Sequence, residues 1–226
     1  MAGVVIALAG VPAGCAAFPT ALSSPAASRT PTPLHSPTPD PAPTKPALAE
    51  LVVGIDGLGP IHFGAQVPAA AAETAVTVYQ DDYCLANGAV GQPGVGMWVP
   101  NYPPSGSAQG GLAPFTVLTA GGVESGGVSG IWVWSPEIST ATGVHVGSTV
   151  AELTAAYPDF DHISPTVVTT AYTIDRAPAR LMFEVATNTE FWGAEKIGSV
   201  QAIEVLAGTA GLVSAFEGDG PGGCGD

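Results

Sequence analysis

Residues 60–67, PIHFGAQV, recur in altered form at residues 143–150, GVHVGSTV. In both copies a histidine lies between two apolar residues, and a glycine, two further positions and a valine follow it. A glycine suits a turn with positive φ at the entry to a helix, and a short helix needs a sheet to cover its apolar face. The repeat therefore predicts an α+β module over 51–226 with two similar halves, each a short helix packed on an antiparallel sheet. The halves are expected at about 51–135 and 136–226.

The second copy carries the stronger helix signal. Thr149 and Glu152 have the spacing of a capping box, in which each side chain satisfies a backbone donor at the start of the helix. Pro158 marks its end, because proline cannot continue a helix. In the first copy the matching helix is predicted over 67–76, where Pro68 falls in the first turn and is tolerated.

Candidate strands surround the predicted helices. They alternate apolar and polar residues or are rich in β-branched and aromatic side chains, which is typical of strands. The candidates are 76–79, 115–119, 130–134, 170–175, 180–185 and 199–205. Each predicted helix is followed by several of them, which supports the α+β class.

The N-terminus has the composition of an export signal. Residues 2–14 are apolar and small, and the run is too short to span a bilayer as a helix. Cys15 follows Ala13 and Gly14 in a pattern that resembles a bacterial lipoprotein signal, which implies lipidation of Cys15. We therefore predict an export signal over 1–14 and a lipid-anchored protein facing outward. The alternative is secretion after cleavage near Ala13.

A proline-rich stretch follows the candidate anchor. Residues 16–49 contain nine Pro and nine Ser or Thr, so they cannot bury a core and favour extended conformations. At about 3.1 Å per residue such a segment reaches roughly 100 Å. Residues 15–50 are therefore predicted to be the anchor cysteine and a disordered stalk.

The net charge restricts the partners. The chain has 5 Lys and Arg against 19 Asp and Glu, a formal net charge of −14. Such a surface repels phosphate backbones, so nucleic acid is excluded as a partner. Direct binding to anionic membranes is disfavoured as well, which leaves a lipid anchor as the expected membrane attachment. An unidentified protein or glycan of the cell envelope is the expected partner.

Few residues carry recognisable chemistry. The sequence has no G-x-S-x-G, C-x-x-C or H-E-x-x-H motif, and no cofactor or metal is expected. Asp159, Asp161 and His162 are weak candidates for cation ligands in the turn 159–162. A cation-dependent hydrolase that uses this acidic turn is the alternative to a binding function.

The aromatic residues give the candidate binding face. Trp132 and Trp134 share one face of a strand, and two indoles side by side can hold a sugar or anchor a protein. Trp98 and Tyr102, in the Pro- and Gly-rich loop 91–111, are candidates to join them or to cover them. The alternative is that the two tryptophans pack under a helix.

The segments GLGPIHFG (57–64), TGVHVGSTVAELTAAYP (142–158) and VQAIEVLAG (200–208) support a resemblance. They resemble the repeated unit of secreted proteins with the β-lactamase-inhibitor-protein-like fold, and the single-copy SmpA/OmlA lipoproteins are similar. The resemblance implies a non-catalytic envelope protein, and inhibitor-like proteins bind partners on the concave face of the sheet. We therefore predict a non-enzymatic, envelope-displayed binding or scaffolding lipoprotein.

Cys84 and Cys224 are predicted to form a disulfide, because an exported pair of cysteines meets an oxidising compartment. Peptide mapping of the exported protein without reductant should recover the two cysteines in one linked pair of peptides. Reduction should lower the free energy of unfolding by at most about 5 kcal/mol. Alkylation of both thiols before reduction would contradict the bridge.

Overall fold

Most of the regular structure is β-strand. The computed structural model describes residues 44–71, 73–83, 96–106, 113–207 and 214–216. Within these residues the strands form two sheets and the helices are short. This agrees with an α+β or mostly-β class.

The larger sheet contains eight strands in the described residues. They are β4 (Thr77–Gln80), β5 (Met97–Pro100), β6 (Phe115–Thr119), β7 (Val128–Val133), β9 (His162–Pro165), β10 (Thr169–Arg176), β11 (Ala179–Ala186) and β12 (Val200–Ala207). Their order is β4-β5-β6-β7-β12-β11-β10-β9, and every neighbouring pair is antiparallel. Two runs of four consecutive strands therefore lie side by side and meet where β7 pairs with β12.

The smaller sheet contains four short strands. They are β1 (Val52–Gly54), β2 (Gly57–Leu58), β3 (Ile61–His62) and β8 (Ser139–Thr140), in the order β3-β2-β1-β8. Buried side chains of this sheet and of the neighbouring helix belong to the same core as one face of the larger sheet. That core includes Leu51, Leu58, Ile61, Leu153, Ile131, Val133, Phe183, Ile203 and Val205. We call this face of the larger sheet the core face.

The predicted second helix is confirmed as α1 (Val150–Ala156). Thr149 Oγ1 accepts a hydrogen bond from the Glu152 N–H at 3.2 Å, and Glu152 Oε2 accepts one from the Thr149 N–H at 2.7 Å. The capping box therefore forms as the spacing predicts. A second helix, α2 (Thr189–Trp192), is a single turn. None of the helices in the described residues has the length and apolar character needed to cross a bilayer.

The predicted helix over 67–76 is wrong. Residues 67–71 and 73–76 form coil and turns. Gln66 stands where the cap threonine would be, and Ala69 replaces the capping glutamate, so the N-terminus of a helix would be unsatisfied. The stretch between Pro68 and Val76 also lacks a large apolar side chain that could hold a helix on the sheet.

Both glycine turns nevertheless have the same backbone contacts. Gly64 has φ 78° and Gly147 has φ 100°, as the sequence predicts. The N–H of each glycine donates, at 2.8 Å, to the carbonyl oxygen of the first residue of a central strand. This residue is Val128 in β7 for Gly64 and Val200 in β12 for Gly147. The N–H of that valine donates back, at 2.8 Å, to the residue after the glycine. Each turn is thus attached to the last strand of its own four-strand run.

The folded part of the chain begins before residue 51. Lys45 Nζ donates to the Asn101 carbonyl at 2.6 Å, and the Tyr102 hydroxyl donates to the Pro46 carbonyl at 2.9 Å. Leu48 is buried in a 3₁₀ turn. Residues 44–50 therefore pack on the module and are not part of the stalk, although proline density assigned them to it.

The remaining stalk residues and the cysteines predicted for lipidation and for the disulfide, Cys15, Cys84 and Cys224, lie outside the described residues. The anchor, the stalk over 15–43 and the bridge stay predictions.

Thr149→Ala removes the cap of α1 and should lower the free energy of unfolding by about 1 kcal/mol. Urea unfolding monitored by circular dichroism measures the change. Thr154→Ala is the matched control, because Thr154 is exposed on the same helix and its change should stay within about 0.5 kcal/mol. Equal losses in the two variants would contradict a stabilising role for the cap.

Candidate functional site

The face of the larger sheet opposite the core face carries polar and aromatic side chains. One row runs straight across four strands: Trp132 on β7 faces Glu204 on β12, which faces Met182 on β11, which faces Thr173 on β10. All four side chains are buried. We call this surface the second face.

Two glutamates lie next to each other on the second face. Glu204 on β12 and Glu184 on β11 are both 0% exposed, and Glu184 faces Ala202, two residues before Glu204. Burying a lone carboxylate costs several kcal/mol. Burial raises the pKa of Glu204 well above its usual value, and the hydrogen bond to Glu184 and the charge of Glu184 raise it further. The Glu204 carboxyl therefore keeps its proton at pH values where an exposed glutamate has lost it.

Hydrogen-bond donors surround this carboxyl pair. Glu184 accepts hydrogen bonds from the Thr169 hydroxyl, from Ser214 Oγ at 2.8 Å and from the Ala215 N–H at 2.5 Å. Glu204 accepts from Trp132 Nε1 at 3.0 Å and from the Ala215 N–H at 3.3 Å. These donors make the burial tolerable, because a buried acceptor without partners would cost about 1–3 kcal/mol.

The segment Ser214–Phe216 lies near the C-terminal end of the sequence and is here called the C-terminal tripeptide. It supplies some of the hydrogen-bond donors to the carboxyl pair and covers the pair. The Phe216 ring lies 5.5 Å from the Trp134 ring at 74° and 4.7 Å from the Trp192 ring at 90°. Both arrangements are edge-to-face, which aromatic pairs favour. The tripeptide is therefore held by carboxyls at one end and by two indoles at the other.

The predicted alternation along β7 is correct, and both tryptophans of the candidate binding face are buried. Ile131 and Val133 point into the core face, and Trp132 and Trp134 lie on the second face. Trp132 is 7% exposed and Trp134 is 0% exposed. The described residues that pack on the two tryptophans include Ala215 and Phe216 of the C-terminal tripeptide.

Trp98 and Tyr102 do not join the tryptophan pair. Trp98 faces Val117 across β5 and β6, and Val117 faces Ile131, so Trp98 lies on the core face. Tyr102 packs edge-on against Phe115 at 6.1 Å in the same core. The four candidate aromatic residues thus divide between opposite faces of one sheet.

The acidic turn 159–162 does not gather its side chains around a cation. Asp161 Oδ2 accepts from Arg176 Nη1 and from the Asp175 N–H, each at 2.8 Å. These contacts, the backbone bond first, lower the pKa of Asp161. His162 Nε2 lies 3.2 Å from Asp175 Oδ2. Asp159 lies beside a groove of about 400 Å³ that Arg176 also lines.

Across the described residues, no group of three or more His, Cys, Asp or Glu side chains is arranged to hold a metal ion.

One donor in the aromatic cluster, the Trp134 indole N–H, has no acceptor in the described part of the chain. Trp132 Nε1 donates to Glu204, and Trp192 Nε1 donates to the Val168 carbonyl at 2.7 Å. Trp134 Nε1 is buried and has no partner among the described residues. A buried unsatisfied N–H costs about 1–3 kcal/mol.

Sequence reasoning missed the carboxyl pair. A signal was present, because Glu184 and Glu204 each interrupt an apolar run, LMFEVA (181–186) and AIEVLA (202–207). A charged residue in the middle of such a run, with apolar neighbours on both sides, indicates a carboxyl carried into the interior.

Comparison of the chain with protein-family models, with curated proteins and with solved structures gave no match. The function is therefore argued from the site.

Glu204→Gln should change how stability depends on pH. The wild-type contribution of Glu204 is fully present below the unfolded-state pKa, near 4.5, and is lost as the pH rises through the higher native pKa. The amide has no proton to lose, so the variant should not show this fall and should be more stable than the wild type at pH 8.

Urea unfolding between pH 4 and pH 9 measures the difference. Glu137→Gln, at an exposed position, is the control and should follow the wild-type curve. If Glu204→Gln has the same pH dependence as the wild type, the proton does not reside on Glu204.

Proposed function

We propose that the protein is a non-enzymatic binding or scaffolding module of the cell envelope, and that its binding surface is the second face of the larger sheet. The observation that carries the proposal is the seating of the C-terminal tripeptide on the carboxyl pair. Ala215 binds through its backbone N–H and Phe216 through its ring. A surface that holds one peptide segment in this way has the chemistry to hold another.

The placement in the envelope is supported by the N-terminal sequence. The apolar run 2–14, Cys15 and the proline-rich stretch after it have the order of a signal, an anchor and a spacer. The partner would be a protein or glycan of the envelope, and the membrane would be reached only through the lipid anchor. Secretion without an anchor would leave the binding surface unchanged.

We also propose that the module is a duplicated unit, similar to the repeated unit of β-lactamase-inhibitor-like proteins. Two observations support this. The larger sheet is composed of two antiparallel four-strand runs, β4–β7 and β9–β12. Gly64 and Gly147 make equivalent backbone bonds to the last strand of each run. The second unit retains the helix, and the first has lost its capping residues.

A binding role is favoured over hydrolysis by the state of the acidic groups. Paired carboxyls act as catalytic groups in acid hydrolases, but Glu184 and Glu204 are 0% exposed beneath the C-terminal tripeptide. In the acidic turn, Asp161 already binds Arg176. Substrate and water would have to displace these contacts before either group could act.

The proposal predicts that the full-length protein retains a defined envelope component. Phe216→Ala should raise that retention severalfold, because it removes the ring that covers Trp134 and Trp192. Chemical cross-linking in solubilised envelope, followed by mass spectrometry, measures the retained component and the cross-linked residues.

Phe191→Ala is the matched control. Phe191 also packs on Trp192, at 4.8 Å, but is 46% exposed, and its removal leaves the second face covered. Retention should then equal that of the wild type. No retained component in any of the three proteins, or cross-links only outside the second face, would contradict the proposed function.

A further inference from the structure

We propose that the site beneath the C-terminal tripeptide recognises peptides with a hydroxyl residue, a small residue with a free N–H and an aromatic residue in sequence, and that Ser214–Phe216 occupies it as an internal competitor. The inference rests on the proposed function and names the class of ligand. Each of the three positions has its own physical requirement.

The middle position requires a backbone donor and a small side chain. The Ala215 N–H donates to both carboxyls, at 2.5 Å to Glu184 and at 3.3 Å to Glu204. Proline has no N–H and would be rejected. Ala215 is itself buried against Trp132 and Trp134, so a large side chain would not fit between its neighbours.

The first position requires a hydroxyl group that both donates and accepts. Ser214 Oγ donates to Glu184 at 2.8 Å and accepts from the Phe216 N–H at 3.2 Å. Among the natural side chains, serine and threonine provide this combination on a short stem. Alanine at this position would remove the hydrogen bond to the Glu184 carboxyl. It would also leave the N–H of the aromatic residue without its acceptor.

The third position requires an aromatic ring. The centroid of the Phe216 ring lies 5.5 Å from that of the Trp134 ring and 4.7 Å from that of the Trp192 ring, and both pairs are edge-to-face. An aliphatic side chain would lose the edge-to-face contacts, which add about 0.5–1.5 kcal/mol per pair. Phe216 is only partly buried, so the ring is accessible from outside.

The cluster also explains why an external peptide could displace the tripeptide. Trp134 Nε1 is buried, and with Phe216 in place it has no acceptor in the part of the chain that the structure describes. A ligand that adds a carbonyl, hydroxyl or carboxyl oxygen at this point would satisfy the indole, and would bind more tightly than the tripeptide does. The internal segment therefore fills the site without using all of its donors.

The carboxyl pair itself indicates recognition of a separate segment. Apolar residues at 184 and 204 could be buried on this face at a lower free-energy cost than glutamates. Burying an ionisable group is unfavourable unless hydrogen-bond donors reach it. Among the described residues, the donor that reaches both carboxyls is one backbone group of the tripeptide, the Ala215 N–H. The pair thus selects for a chain segment with that N–H in place.

The test uses the full-length protein and the labelled peptide acetyl-Val-Ser-Ala-Phe-Glu-amide, which repeats the sequence of residues 213–217. Fluorescence anisotropy should show binding to Phe216→Ala at least tenfold tighter than to the wild type, because a tethered competitor acts at an effective concentration near millimolar. Phe191→Ala should bind as weakly as the wild type.

Variants of the peptide and of the carboxyl pair test the individual contacts between the peptide and the second face. A peptide with N-methylalanine in the middle, which removes the N–H donor, should bind Phe216→Ala at least tenfold more weakly. A peptide with alanine in place of phenylalanine should do the same. Adding Glu184→Gln to Phe216→Ala should also weaken binding of the parent peptide.

Several outcomes would overturn the inference. If Phe216→Ala is folded by circular dichroism, shows red-shifted tryptophan emission and still binds no peptide, the tripeptide is a fixed cover. If Phe216→Ala does not fold, Ser214→Ala is titrated in its place, and absence of binding there has the same meaning. A wild-type dimer that Phe216→Ala abolishes would assign the site to the tripeptide of a second copy.

The two proposals fail separately. Peptide binding without a retained envelope component would contradict the proposed function and leave the ligand class standing. A component cross-linked to the second face, together with no binding of the peptide, would contradict only the ligand class.

Discussion

The pairing of β7 with β12 is the contact on which the rest of the architecture depends. It joins two four-strand runs into one sheet by setting Ile131 opposite Val205 and Trp132 opposite Glu204. The first pair lies in the core face, where the smaller sheet and α1 cover it. The second pair lies on the opposite face. A shift of one residue in this register would exchange the two faces and bury the wrong set.

The second face carries two kinds of side chain, buried carboxyls and large indole rings, that destabilise a sheet unless other groups bind and cover them. Two glutamates without donors, or two indoles without a cover, would destabilise a soluble sheet. The C-terminal tripeptide resolves both problems at once, through the Ala215 N–H and the Phe216 ring. The stability of this face therefore depends on the same few contacts that the proposed ligand would have to replace. A ligand that replaces the tripeptide must supply equivalent groups.

Local signals predicted local structure well. The capping box of Thr149 and Glu152 forms as its spacing indicates, because both partners lie within one turn of chain. Alternation along β7 placed Ile131 and Val133 on the core face correctly. The helix predicted over 67–76 does not form, because Gln66 and Ala69 replace the capping residues there. Similarity between two segments does not stabilise a helix whose capping side chains are missing. The tryptophans were assigned to the correct face, but their cover lies more than eighty residues further along the chain.

The sequence by itself determined six strands of the larger sheet, the helix α1, the two glycine turns and the acidic character of the chain. These follow from side-chain periodicity, caps and composition, which act over a few residues or over the whole chain. Only the tertiary structure decided that Glu184 and Glu204 meet and that Ser214–Phe216 seals them. Glu184 lies on β11, Glu204 on β12, and the tripeptide beyond both. Strand register and chain closure bring them together, and no local pattern encodes that distance.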